Sequence, residues 1–558
     1  MLALALSFLM PASAAVTPPT LASLKFSGTP EFVRAAKDVI DVRLSLLPNF
    51  AAESGLFDDA VRVPSFSDES VAKLVARLDK DLSGMRAMPW RKWSVDEQID
   101  FRWTYAMAQE ARQQLAVEKI YRHRAASWLE PLANDYIALL SYAPERADLR
   151  AELTALVPAM VKEMREVCAP TVKDVKTADG ILAGLLSTLK AEAPSEKRDA
   201  AVASLETYRK DMGELKGLKD FEVIGAGAYG WRLKHALLLP WSPQDLLQIA
   251  KLELFVVDEE AAKLKSSVAA PKALPEEVEL AKNLTKDSML GMYDEIVRQN
   301  MAFLKRSELL TVPEGVGAIR ARETPEAMVP LTGDGGSMNP PPPFAAGDQG
   351  WWNVQHFKAD WTQDVRLSTV LDAREFRRTD EGPYAVHEGV PGHHLQLSIA
   401  RLKVNPLRNL LYDNTFVEGW ALYAEQMFQE AGGLGPSPEA RYNTLMSYRF
   451  RIRRVFYDVR VETGEWDLQK GADFKDESVK PGSGSVDPEI QRAIQWPTQL
   501  IGYFVGKRQI VALKEDYKRK LGAKYSDRLF HDELLAVGGI PVVFARAKLL
   551  GEPVPDLD

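Results

Sequence analysis

The chain has 558 residues, 46% hydrophobic and 27% charged, proportions of a globular protein, since a disordered chain carries fewer apolar residues and a membrane protein fewer charges. Lys and Arg number 70 against 78 Asp and Glu, a net charge of −8, which lacks the basic excess that tracks a phosphate backbone and argues against nucleic acid as a partner. The lone cysteine, Cys168, forms no intramolecular disulfide and excludes a four-thiolate zinc site.

The chain starts MLALALSFLMPASAA, an apolar run from Leu2 to Met10 followed by Pro11 and the A-x-A pattern Ala12-Ser13-Ala14. This predicts a signal peptide over 1–14 and an exported product, periplasmic or secreted. No later stretch reaches the roughly 18–20 uncharged apolar residues of a membrane span, so none is expected. Residues 15–322 read as a helical N-terminal lobe. In 67–87, Val71, Leu74, Val75, Leu78 and Leu82 form one apolar stripe on a 3.6-residue period, with Ser67 and Asp68 as caps. Similar stripes run through 95–119, 126–143, 148–168, 197–215 and 274–305. No fixed-period repeat is present. Residues 323–349 contain a four-proline run, Pro340–Pro343, and several glycines, which predicts a loop or hinge between two halves. After it, 350–357 (GWWNVQHF) is the strongest strand pattern in the chain. Helix is expected again from about 366 onward, with a second Gly/Ser/Pro loop near 481–487. The fold class expected is mostly α: a large two-lobed helical body with a central cleft, a small β element near the site, and a C-terminal lobe over 350–558 that carries the chemistry.

Histidine is sparse, seven in all, yet three fall in YAVHEGVPGHHLQ as His387, His393 and His394. His-Glu on a helix opens the zinc-hydrolase pattern H-E-x-x-H, in which two histidines four apart bind one Zn²⁺ and the glutamate acts as general base toward water. Here the i+4 position is Pro391, so the second ligand is His393 at i+6 or His394 at i+7. On an unbroken helix these stand about 9 and 10.5 Å along the axis from His387, too far for one ion. Gly389, Pro391 and Gly392 permit a kink that shortens the gap. For the third ligand, Glu418 in NTFVEGWALYAE is the outstanding candidate, on a second helix running back beside the histidines. Glu425, seven residues on, is expected behind the ligands or in a salt bridge. Two histidines and a carboxylate leave a coordination position open, as in catalytic zinc sites.

HEGVPGHHLQ, VEGWALYAE, RFRIRRVFYDVR, WPTQLIGYFVGKRQI and FHDELLAVGGIPV together resemble the bacterial domain-of-unknown-function family 885, closely over roughly 350–550. That family resembles largely helical zinc peptidases with a two-His, one-Glu metal site. Related peptidases place Gly-His one or two residues after His-Glu; here three residues intervene. Reading this as a longer bulge makes His393 the second ligand, with His394 the alternative because i+7 returns to the same helical face. Members often carry Asp-x-Gly-x-His after the arginine helix, where this chain has Asp458-Val459-Arg460-Val461-Glu462. The resemblance implies that Tyr503 in GYFVG serves the oxyanion, with His531 in reserve. The 350–357 strand, through Trp352 and Asn353, is expected to pair with an extended substrate. Arg451, Arg453 or Arg454 is expected to clamp a substrate carboxylate or to sit in an internal salt bridge.

These features describe an exported zinc metallopeptidase acting on a peptide or peptide-like substrate, with Zn²⁺ on His387, His393 and Glu418, and Glu388 as base. Two other readings stay open: a zinc amidase for modified peptides, and a periplasmic binding or assembly protein with a vestigial metal site. The glutamate beside His387 argues against the last, since a structural site needs no base. Oligomeric state is not legible.

Overall fold

Ser67 opens the helix Asp68–Arg86 by accepting a hydrogen bond from the Ser70 N–H, and Val71, Leu78 and Met85 bury its apolar stripe. The same logic repeats along the chain. Ser94 and Glu97 form a capping box ahead of Val95–Gln113, and Ser195 caps Glu196–Gly213. The stripe expected over 274–305 is two helices, Pro275–Lys282 and Lys286–Ser307, because Thr285 starts a new cap by accepting from the Ser288 N–H. The structure, a computed structural model, describes residues 19–268, 273–374, 384–435, 437–467 and 486–558. The expected signal peptide and most of the loop near 481–487 lie outside the described residues. The fold is mostly α; among the described residues, strand is confined to three short segments. No helix among them is long and apolar enough to cross a membrane.

The apolar core does not stop at the Pro/Gly-rich stretch. One buried cluster runs from Leu21 to Val554 and draws on both halves of the chain. Polar contacts stitch the same seam. The Trp103 indole N–H donates to the Leu411 carbonyl. Buried Arg408 reaches Asp100 at 2.6 Å and the Val537 carbonyl at 2.9 Å. A second cluster packs Tyr229, Leu233 and Leu246 against Ile452, Val455 and Phe504.

The sheet consists of β1 (Ile319–Glu323), β2 (Ser337–Asn339) and β3 (Gly350–Val354), in the order β1-β3-β2. β1 runs parallel to β3 with Ile319 opposite Gly350, and β2 runs antiparallel with Met338 opposite Trp352. Two expectations change here. β2 lies inside the stretch read as loop. And β3 is the middle strand, with both edges occupied, so an extended substrate has no free edge on it. Trp352 is buried, edge-on to Tyr293 at 5.1 Å. Fully buried Asn353 accepts from Arg322 Nε at 2.8 Å and donates to Asn339 Oδ1 at 2.9 Å and Ser337 Oγ at 3.1 Å. Its amide is spent inside the sheet.

Two helices meet at backbone contact beneath the site. Asn414–Glu430 packs along Gly502–Leu521. A Cβ on Gly506 would fall 1.9 Å from the Thr415 carbonyl oxygen, and one on Gly419 would fall 2.4 Å from Gly506 Cα. Only glycines allow this approach, and it brings Glu418 and Tyr503, one residue N-terminal and three residues N-terminal to those glycines, onto one cavity wall.

Candidate metal centre

The segment carrying His387 and Glu388 is a wide π-helical turn, Ala385–Gly389, a form common at functional sites. The chain then folds back on itself. The Gly392 N–H donates to the Val386 carbonyl at 2.9 Å, and a new helix, His393–Lys403, begins at once. The His387 and His393 rings end up 4.8 Å apart between centroids and nearly perpendicular at 86°, against the roughly 9 Å axial rise that six helical residues would impose.

His387, Glu388 and His393 each present a possible ligand atom within 4.8 Å of the others, and all three residues are buried. Glu418 completes the ring from its neighbouring helix. Its Oε2 stands 3.4 Å from His387 Nε2 and 3.2 Å from His393 Nε2, yet this buried oxygen makes no hydrogen bond. A carboxylate oxygen facing two imidazole nitrogens without bonding either is the arrangement that three ligands adopt around a shared cation. The residues present therefore fit a metal ion.

Charge points the same way. The His387 Nδ1–H donates to Glu425 Oε1 at 2.7 Å, and Glu425 Oε2 accepts from the Ser447 hydroxyl at 2.7 Å. With Nδ1 carrying the proton, Nε2 keeps its lone pair for a ligand. Burial opposes charge on His387, but Glu418 and Glu425 raise its pKa to about 9, so a cation at Nε2 takes the place of a proton. Burial would likewise raise Glu418, but His393 and His387 hold its carboxyl well below the usual range. Burial, partly offset by His393 and His387, raises Glu388. Glu388, Glu418 and Glu425 form no ion pair with Lys or Arg among the described residues, so no side-chain cation is bonded to these carboxylates. Glu425→Gln keeps the shape and an acceptor for His387 but removes one negative charge behind that ring. Metal affinity is expected to fall by about tenfold or more, as read by competition with a chelator.

The cavity beside these groups has a volume of about 810 Å³, within the range of small-ligand sites. Tyr503 lies in its wall, its ring roughly parallel to that of His387 at 6.1 Å. The phenol oxygen accepts from Arg492 Nη2 at 3.2 Å and Gln499 Nε2 at 3.4 Å, which leaves its own proton free to donate. Burial, with Glu418, raises the Tyr503 pKa above its ordinary value despite nearby arginines. Arg454 also lines the cavity, in a bidentate pair with Glu489 at 2.6 and 3.0 Å.

Other candidates stand elsewhere. His394 turns toward the sheet, where its Nε2–H donates to the Gly317 carbonyl at 3.0 Å, and burial lowers its pKa to about 4. It does not face Glu418. His531 is fully buried between the Leu309 carbonyl, 2.7 Å from Nδ1, and the Tyr423 hydroxyl, 2.7 Å from Nε2. Burial holds it at about 4, and it does not reach the cavity. Trp352 and Asn353 do not line the cavity either; Ser337, Met338 and Asn339 of β2 do. The sequence reading also missed Arg492, Glu489 and Ser447. Ser447 lies one helical turn N-terminal to Arg451 on Pro438–Glu462, the signal that could have found it. At the departure from the family pattern, Glu462 is fully buried and accepts from the Ile224 N–H at 3.1 Å. Asp458 accepts from the Thr498 and Ile501 N–H groups at 2.9 and 3.2 Å, anchoring the turn before Tyr503.

The family described as bacterial protein of unknown function (DUF885) matches residues 48–549, and the chain belongs to that family. No curated protein matches it. Solved structures share its fold. A protein described as a lipoprotein of unknown function from Shewanella oneidensis superposes with a TM-score of 0.69 at 18% identity, covering 94% of this chain and 100% of its own. A protein described as a lipoprotein from Colwellia psychrerythraea gives a TM-score of 0.69 at 16% identity, covering 93% and 99%.

Proposed function

We propose that this family member is an exported zinc-dependent metallopeptidase that hydrolyses peptide bonds of short peptides, with Glu388 as general base. The observation that carries the reading is the convergence of His387 Nε2, His393 Nε2 and the unbonded Glu418 Oε2, with Glu388 beside them in a cavity wall. His387, His393 and Glu418 would hold the zinc. When bound, zinc supplies Lewis acidity, polarising the scissile carbonyl and lowering the pKa of water. Glu388 takes the proton of the attacking water and returns it to the leaving amine nitrogen. The free proton of Tyr503 is available to the oxygen that becomes negative in the tetrahedral intermediate. A base next to the ligands is superfluous in a structural site, which favours catalysis over a vestigial site. A cavity of about 810 Å³ takes a few residues and no folded protein. Export is supported by the A-x-A pattern and by the lipoprotein descriptions of both fold relatives.

Metal analysis of the purified chain alongside His387→Ala tests the core of the reading. One zinc per chain, lost in the variant, is expected, together with release of amines from short unmodified peptides. A chain without metal, or one active only on non-peptide amides, overturns the peptidase.

A further inference from the structure

Among the described residues, the arginines around Tyr503 outnumber the carboxylates that hydrogen-bond them. The Arg451 guanidinium is 5.7 Å from the Tyr503 ring centre, and that of Arg454 is 4.8 Å from it. Arg492 donates to the Tyr503 oxygen. All three line the cavity, and Glu489 is engaged there by Arg454 through both oxygens. Arg451 is only 3% exposed, and its Nε and Nη1 have no hydrogen-bond partner. The Arg492 Nε is likewise buried and unbonded. Guanidinium is always charged, and burying it without an acceptor is costly. A planar fork with free donors in a cavity wall is built to take a carboxylate.

We propose that Arg451 and Arg492, steadied by the Arg454–Glu489 pair, form a subsite for a carboxylate of the bound molecule. The Tyr503 ring lies between this subsite and His387, 6.1 Å from the imidazole and 5.7 Å from the Arg451 guanidinium, so the carboxylate sits within about three residues of the reacting carbonyl, given that an extended residue spans roughly 3.3–3.6 Å. On the peptidase reading, on which the orientation rests, the natural source is the C-terminal carboxylate of a short peptide, and cleavage then releases residues from the C-terminus. An aspartate or glutamate side chain near the scissile bond supplies the same chemistry.

Binding by calorimetry to zinc-loaded Glu388→Gln protein tests the subsite without turnover. The probes are trialanine, trialanine amide, and the same amide with an aspartate in place of one alanine. Trialanine is expected to bind about tenfold or more tightly than its amide, a charge-assisted pair being lost in the amide. Adding Arg451→Gln should weaken trialanine to the level of the amide and leave the amide unchanged, a selective effect that general loss of structure does not produce. Tight binding of the aspartate amide assigns the subsite to a side-chain carboxylate instead. Equal binding of all three probes, or of none, overturns the proposal, and that comparison needs no arginine variant. A chain that hydrolyses acids and amides equally keeps the peptidase and loses the subsite; one that prefers carboxylates yet hydrolyses nothing does the reverse.

Discussion

Glu388→Gln is expected to lower the hydrolysis rate by at least about 10²-fold, with zinc stoichiometry and melting temperature unchanged. The two side chains have the same shape, so the π-helical turn Ala385–Gly389 that positions His387 is not disturbed. What the glutamine loses is the ability to accept a proton, and the two carboxylates nearest His387 are already engaged. Glu418 faces His387 Nε2 and His393 Nε2, and Glu425 is committed to His387 Nδ1 and the Ser447 hydroxyl. Rates on a short peptide, metal content and a thermal melt read all three quantities. A fully active Glu388→Gln protein would sink the assignment of the base, because a glutamine cannot carry the proton of the attacking water to the leaving amine. Retained metal with lost activity also separates this residue from the ligands, whose replacement removes both.

The contrast between what the residue order foretold and what it hid follows from the range of the interactions involved. The helix Asp68–Arg86 is written in local terms, an apolar period and a cap, and the structure returns both. His387, Glu388 and His393 were legible because histidine is rare in the chain and Pro391 and Gly392 mark a break where an unbroken helix would hold the rings apart. Trp352 and Asn353 show the opposite. Aromatic and β-branched residues announce a strand, but whether its edges are free depends on β1 and β2, and β2 hides among prolines and glycines. His531 was indistinguishable by spacing from a cavity histidine; only burial against Leu309 and Tyr423 reveals it as a core group. Arg492 and Glu489 meet the arginine helix from a segment far along the chain, Val486–Gln495, and no local pattern carries that pairing.

Gly392→Ala should abolish zinc binding and activity while Gly389→Ala, three residues away, leaves both nearly intact. A Cβ on Gly392 would lie 2.0 Å from the His387 carbonyl oxygen, 2.3 Å from that of Val386 and 2.6 Å from the His387 carbonyl carbon. Every one of these atoms is backbone, so no rotamer relieves the clash and the two strands of the crossing must separate. That crossing is what holds His387 and His393 within reach of one ion. A misplacement of about 1 Å at a catalytic group costs on the order of 10²-fold in rate, and overpacking of this kind costs about 1–3 kcal/mol of stability or more. A Cβ on Gly389, by contrast, meets Val297 Cγ2 at 3.4 Å, an ordinary contact with a side chain. Metal content, activity and melting temperature of the two variants decide the matter. If Gly392→Ala keeps stoichiometric zinc with its fold intact, the two imidazoles do not depend on the crossing, and the explanation for a ligand pair spaced by six residues fails.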